Sequence, residues 1–236
     1  MNLITAFPFI KEPGHIVCLV GGGGKTSLMY KLAQHAAAAG LRVLMTTTTH
    51  IGIPRDYPVV SSFDALRAAF KKQSIVVAGF AENNHKLSQP QDFDPTLYAQ
   101  AADLILIEAD GAKNLPCKVP NATEPVIPEE ADIVIGVMGM DTPGKPLGQI
   151  CFRKPETMKF LGVDENHIMT TDDMARILTD EHGTMKSVGS KKYIIALNKC
   201  DDIQRKNQAE ELRSALIHRG YKNICCMALK YSEEVF

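Results

Sequence analysis

An excess of charge of either sign is missing from this sequence. Lys and Arg total 26 against 27 Asp and Glu, for a net charge of −1, and so balanced a chain has no electrostatic footprint for nucleic acid. The expected partner is a small molecule or another protein. No apolar run approaches the roughly 20 residues a membrane helix requires, and no basic-then-apolar leader opens the chain. The expectation is a cytoplasmic protein without membrane contact. The six cysteines, Cys18, Cys117, Cys151, Cys200, Cys225 and Cys226, include no C-x-x-C pair. Most lie in apolar strand contexts, as reduced and buried thiols do. Selenium or metal chemistry at Cys225 and Cys226 is disfavoured, because adjacent side chains on a strand point to opposite faces. Internal repeats and low-complexity segments are absent as well.

What is present is a glycine bend in a telling place. Gly21-Gly22-Gly23-Gly24-Lys25-Thr26 follows the continuous apolar stretch His15 to Val20, the pattern of a strand buried on both faces. It precedes Ser27-Leu28-Met29-Tyr30-Lys31-Leu32, whose apolar residues recur at helical spacing through Ala36. Glycines without Cβ let consecutive backbone N–H groups point at phosphate oxygens, and the helix N-terminus behind them adds its partial positive charge. Gly21 through Ser27 therefore read as a phosphate cradle. Lys25 would reach the terminal phosphates, and the Thr26 hydroxyl offers Mg²⁺ the oxygen ligand a hard cation prefers. The common pattern has a glycine six residues before the lysine, where this chain has Leu19. The bend instead fits G-x-x-G-K-T (Gly21, Gly24, Lys25, Thr26), a contracted form resembling the loop of Mur-type amide ligases. That likeness keeps ATP open as the nucleotide and an ATP-dependent transferase or ligase open as the activity.

A second stretch, Asn198-Lys199-Cys200-Asp201, follows the apolar run Lys192 to Leu197. N-K-x-D is the pattern by which GTPases read guanine. The Asp201 carboxylate would accept hydrogen bonds from the ring N1–H and the exocyclic amino group, donors that adenine lacks in that arrangement. Adenine would leave a buried charge unpaired, which makes such readout selective. Asn198 would tie this turn to the glycine bend, and the Lys199 stem would cover the base. Farther on, Asn223 to Met227 reads as a last strand followed by Ala228-Leu229-Lys230. GTPases place S-A-K or S-A-L there, with the alanine N–H donating to guanine O6; here Met227 stands in place of the serine. An ordinary strand end is the plain alternative.

Between the two stretches, strand and helix signals alternate. Leu41 to Thr47 reads as a strand, Ser61 to Lys72 as a helix opened by S-x-x-D, Ile75 to Ala78 as a strand, and Asp94-Pro95 as another helix start. Asp103 to Glu108 is a buried strand, and strand signals resume at Asp132 to Met138. Helices are predicted near Glu156 to Leu161, Thr171 to Thr179 and Arg205 to Arg219. This alternation predicts an α/β fold of the P-loop NTPase type, a mostly parallel sheet covered by helices on both faces. At 236 residues the chain suits a single nucleotide-binding domain, 1–236, with 111–128 and 143–155 as irregular functional segments.

Glu108-Ala109-Asp110-Gly111 falls at the carboxyl end of its strand, where parallel sheets place ligand chemistry. Of Glu108 and Asp110, one would bind Mg²⁺, directly or through water, and the other would orient an attacking water. Among Thr46 to Thr49, Thr48 is the expected additional cation ligand, while Thr46 and Thr47 also suit a strand. His50 is open between phosphate contact, base and packing. Lys113, Lys118 and Arg153 lie in the irregular segments; solvated lysines are the ordinary outcome, and Arg153 is the one expected to meet phosphate.

The motifs V-G-G-G-G-K-T-S-L-M, R-V-L-M-T-T-T-T-H-I, I-E-A-D-G-A-K, E-P-V-I-P and G-x-P-L at Gly144 to Leu147, in that order, resemble the YqeC family from about Val20 to Glu156. The resemblance implies an accessory role in selenium-cofactor biosynthesis for selenium-dependent molybdenum hydroxylases, with an apo-hydroxylase or cofactor-carrying protein as partner. The combined expectation is a protein that binds Mg²⁺ and GTP and hydrolyses GTP slowly, Lys25, Glu108 and Asp110 serving catalysis. A non-catalytic, nucleotide-gated scaffold is the third reading.

Overall fold

The computed structural model describes residues 3–83 and 86–229, and 234–235 as backbone. Lys230, the last residue of the expected S-A-K-like segment, lies outside the described residues. The central sheet is built from β1 (His15–Gly21), β2 (Val43–Thr47), β3 (Val59–Val60), β4 (Ile75–Ala78), β5 (Leu104–Glu108), β6 (Ile133–Gly139), β7 (Lys192–Asn198), β8 (Ile224–Ala228) and β9 (Glu234–Val235). Its spatial order is β9-β8-β7-β6-β1-β5-β2-β4-β3. Every neighbouring pair is parallel except β8 with β9. This is an α/β fold built on a mostly parallel sheet.

The alternation of β1 explains the layers. Val17 and Leu19 point to one face, where α1 (Lys25–Ala38) packs Leu28, Met29 and Leu32 against them. Ile16, Cys18 and Val20 point to the other, under Leu66 of α2 (Phe63–Ala69) and Tyr98, which follows the Pro95 start of α3 (Pro95–Ala99). A third apolar cluster joins Ile195 and Leu197 of β7 to α5 (Thr171–Thr179) and α6 (Ile203–His218). In chain order α4 (Lys154–Leu161) lies between β6 and α5. Cys225 packs in the first cluster and Cys226 in the third, on opposite faces of β8. Burial raises both thiols to a pKa of about 12.

Capping residues fix several helix starts. Asp94 accepts from the N–H groups of Thr96 and Leu97, Asp202 from that of Arg205, and Thr170 and Asp173 form a reciprocal box. The S-x-x-D start falls one residue later than its first serine, because Ser62 rather than Ser61 accepts from Ala65 N–H. The irregular segment 111–128 contains one short strand, Cys117–Lys118, paired with Cys151–Phe152 of the second irregular segment. A separate antiparallel sheet of His50–Gly52, Phe80–Asn83 and Lys86–Ser88 had no forecast in the sequence. Among the described residues, no helix is long and apolar enough to cross a membrane.

Candidate functional site

Parallel neighbours place their carboxyl ends on one edge of the sheet. β1 lies between β5 and β6, and β7 follows β6, so the turn after β7 is two strands, roughly 10 Å, from the glycine bend. The bend rises from β1 with Gly21, Gly23 and Gly24 at φ of 93°, 80° and 116°, angles that L side chains rarely adopt. It is stapled by backbone bonds from Gly22 N–H to Val137 O (2.9 Å) and from Gly23 N–H to Leu115 O (3.0 Å). A Cβ on Gly22 would lie 2.7 Å from the Leu115 carbonyl oxygen, and one on Gly24 would lie 2.5 Å from Asn198 Nδ2. Gly24 thus requires glycine by contact as well as by angle, and Gly22 by contact alone.

Asn198 Nδ2 donates to Gly23 O at 2.9 Å. The two motifs, 175 positions apart, thus meet through one side chain. On the far side of that bond lies a cavity of about 400 Å³ walled by Gly24, Ser27, Asp141, Lys199, Asp201 and Leu229, among others. Lys199 Nζ donates to Asp141 Oδ2 at 2.8 Å, and Arg205 lies 3.4 Å from Asp201 Oδ2. Among the described residues, Asp201 Oδ1, Asp141 Oδ1 and Asn198 Oδ1 are buried without a hydrogen-bond partner. Ala228 ends β8 one residue before Leu229 in the wall, and Cys200 N–H donating to Met227 O holds this strand end beside the Asn198 turn.

On the near side, Gly23, Gly24, Lys25 and Thr26 border a cavity of about 600 Å³ that also reaches Glu108 and Arg153. Lys25 is only 4 % exposed. Its ammonium donates to Gly21 O at 2.7 Å and stands 3.0 Å from Asp110 and 3.8 Å from Glu108. Burial works against that charge, but Asp110 and then Glu108 outweigh it and hold the Lys25 pKa above the ordinary lysine value. Thr26 Oγ1 donates to Glu108 Oε2 at 2.6 Å. Burial lifts the Glu108 pKa above the usual carboxylate range against the opposing pull of Lys25 and Thr26.

The two acidic residues take different places. Glu108 is on the cavity wall, whereas Asp110 sits beneath the bend, accepting Gly21 N–H at 2.9 Å and facing both Lys25 and Lys118. Thr48 donates its hydroxyl to Val126 O at 2.7 Å, and it is Thr49 and His50 that line the cavity. Thr46 and Thr47 serve the strand, donating to Ala78 O and Glu108 O.

One lysine departs from what its sequence context suggested. Lys118 is a buried lysine, not a solvated one: its ammonium meets Gly111 O (2.7 Å), Glu124 (2.8 Å) and Asp110 (3.1 Å). Glu124, unassigned in the sequence, also binds Arg153 at 2.9 Å. Burial pushes its carboxyl pKa up, but the hydrogen bond and charge of Lys118, with Arg153, outweigh that and hold it below the usual range. Its loop is fixed by Lys186, whose ammonium donates to the carbonyls of Asn121, Ala122 and Glu124. Asp141 was missed altogether; its signal is its place two residues past the end of β6, on the sheet edge that carries the site.

The residues present suit the groups the motifs imply. Oxygen donors at Thr26 and Glu108 match a hard cation brought by a nucleotide, and no cage of three or more His, Cys, Asp or Glu exists among the described residues. Unpartnered Asp201 Oδ1 suits a ligand with N–H donors. A solved structure of the hydrogenase maturation factor HypB from Archaeoglobus fulgidus aligns with a TM-score of 0.41 and 12% identity over 96% of this chain and 86% of that one. Protein YqeC of Escherichia coli (strain K12) is 32% identical over 182 residues, 73% of this chain and 71% of that protein. The family model described as YqeC protein matches residues 17–155, which span the glycine bend, Glu108 and Glu124, and the chain belongs to the YqeC family.

Proposed function

We propose that this chain is one nucleotide-binding unit that takes Mg²⁺ and GTP and hydrolyses GTP slowly, with 111–128 and 143–155 shaping the terminal-phosphate end. The observation that carries the reading is the Asn198 to Gly23 hydrogen bond, which sets an unpartnered Asp201 carboxylate oxygen beside the glycine bend. One purine triphosphate then spans both cavities, which share Gly24.

In this reading the N–H groups of Gly24 to Thr26 and the Lys25 ammonium bind the phosphates, exchanging the Lys25 contact with Glu108 for phosphate oxygens. Thr26 holds the cation, which supplies neutralisation of the phosphate charge. Glu108, on the cavity wall with a raised carboxyl pKa, orients the attacking water and takes its proton. Asp110 positions Lys25 and the bend from below. Asp201 and Asn198 face the base. The role implied by the family resemblance, maturation of a selenium-dependent molybdenum hydroxylase, is the process such turnover would drive.

Parallel calorimetric titrations with GTP and ATP, each with and without Mg²⁺, test the reading. GTP binding at least about tenfold tighter than ATP is expected, a margin of about 1.4 kcal/mol, with affinity falling when Mg²⁺ is withdrawn. Equal or reversed preference overturns the guanine assignment and favours an ATP-dependent transferase. Tight GTP binding with no release of phosphate removes hydrolysis and leaves a nucleotide-gated scaffold. An apo-hydroxylase that gains neither activity nor affinity for the GTP-loaded protein removes the maturation role.

A further inference from the structure

In the nucleotide reading a triphosphate tail and its attacking water take the Gly23–Thr26 rim and Glu108 of the larger cavity, which leaves its far end without a task. At about 600 Å³ it lies in the range that receives a whole small ligand, and the base has its own cavity on the other side of Gly24. The far wall is cationic. Lys86 and Lys113 line it, and among the described residues neither has a carboxylate partner. Arg153 lines it too, held by Glu124 through Nε at 3.1 Å and a terminal nitrogen at 2.9 Å. The remaining N–H groups of that guanidinium form a fixed fork. The cavity's two carboxylates are committed, Glu108 to Thr26 and Lys25, Glu124 to Lys118 and Arg153.

The backbone of this wall is held in an uncommon state. Five described non-glycine residues have left-handed φ, and three of them, Lys113 (46°), Asn114 (62°) and Arg153 (60°), line this one cavity. Such conformations persist where surrounding structure enforces them, and they concentrate at ligand sites. The enforcement is visible: Lys113 Nζ and the Arg153 guanidinium lie 5.4 and 5.0 Å from the centre of the Phe152 ring, between the two segments. The wall is also joined to the glycine bend by a buried relay of charges running Arg153, Glu124, Lys118, Asp110 and Gly21 N–H.

We infer that the wall formed by Lys113, Arg153 and Lys86 is the binding site of a second substrate, a compact small molecule bearing phosphate or carboxylate oxyanions, seated beyond the terminal phosphate of the nucleotide. The inference rests on the nucleotide reading for that placement. It makes the protein a two-substrate machine in which the relay through Glu124 and Lys118 ties occupation of one site to the geometry of the other.

The test is calorimetry of inorganic phosphate, and separately of citrate, into protein saturated with Mg²⁺ and a non-hydrolysable GTP analogue. One saturable anion site is expected, weakened at least tenfold by Lys113→Ala and by Arg153→Ala, with affinity for the analogue kept within twofold in Lys113→Ala, which stands outside the relay. Tighter phosphate marks a phosphorylated substrate, and tighter citrate a carboxylated one. No saturable site, or an equal tenfold loss for the analogue, overturns the inference, the latter by assigning these cations to the nucleotide's own phosphates. Lys113 is exposed, so its variant folds even where the loss of Arg153 disturbs Glu124. Failure of the nucleotide reading shows separately, as absence of analogue binding before any anion is added. In that case the anions are titrated into the Lys25→Ala protein, where a site lost on adding Lys113→Ala still supports the inference and its absence overturns it.

Discussion

On the phosphate side, Lys25 meets Gly21 O, Asp110 and Glu108, and Thr26 is bonded to Glu108. On the base side, two carboxylate oxygens and one amide oxygen, those of Asp141, Asp201 and Asn198, are buried without partners among the described residues. The first half already satisfies its own charges, so a phosphate gains there only by exchange for a carboxylate. The second half gains new bonds with none broken, and a ligand lacking the right donors leaves the acceptors as they were. On the proposed reading, discrimination between bases therefore falls to the turn after β7.

Removing the ammonium attacks the self-satisfied half and has the largest effect. Lys25→Ala is expected to weaken GTP and ATP alike by about 100-fold or more, about 3 kcal/mol. It also leaves buried Asp110 and Glu108 short of a cation, so denaturant unfolding should show a loss of roughly 3 kcal/mol. A variant that loses stability and keeps nucleotide affinity breaks the comparison. Asp201→Asn attacks the other half: GTP affinity should fall about tenfold to a hundredfold, roughly 1–3 kcal/mol. A xanthine nucleotide, with a carbonyl in place of the amino group, should gain by the new amide donor. Competition between the two nucleotides reads this directly, and unchanged preference sinks the base assignment.

Asn198→Ala cuts the bond that joins the halves. Its expected cost is about 1 kcal/mol in stability and a severalfold loss in GTP affinity, measured by melting and titration; an affinity loss confined to ATP would contradict it. The smallest effect is in acid. Because the Glu124 pKa is held below its unfolded value, its contribution to stability is complete above about pH 4.5 and disappears as pH falls through the folded value. Unfolding curves between pH 6 and pH 3 should lose less stability in Glu124→Gln than in the parent, and parallel curves would show that Glu124 does not titrate as placed.

Much of the fold was legible because its signals are local. The apolar run of β1, the Pro95 start, the Thr170 box and the strand Ile75–Ala78 each follow from a few consecutive residues. The sheet of His50–Gly52, Phe80–Asn83 and Lys86–Ser88 was not, since strands of three or four residues carry too little periodicity and His50–Gly52 joins Lys86–Ser88 only across more than thirty positions. In the site, the meeting of Gly21 to Thr26 with Asn198 to Asp201 could be foreseen because the motifs they resemble have fixed residue types at fixed spacing. Lys118 and Glu124 could not: a buried lysine looks like a surface one until the fold supplies Asp110 beneath it. Thr48 fits a cation ligand as a letter, yet its hydroxyl is turned to Val126 O by the backbone.

The close approach of Gly23 to Gly139 has a mechanical corollary. A side chain on Gly139 would come within 2.8 Å of Pro116 Cβ and 3.2 Å of Gly23 Cα, and Gly139 N–H is itself tied to Pro116 O. Main chain rests on main chain there, with no slack for a hinge. The proposed seats of base and phosphate are consequently braced against each other through the ends of β1 and β6.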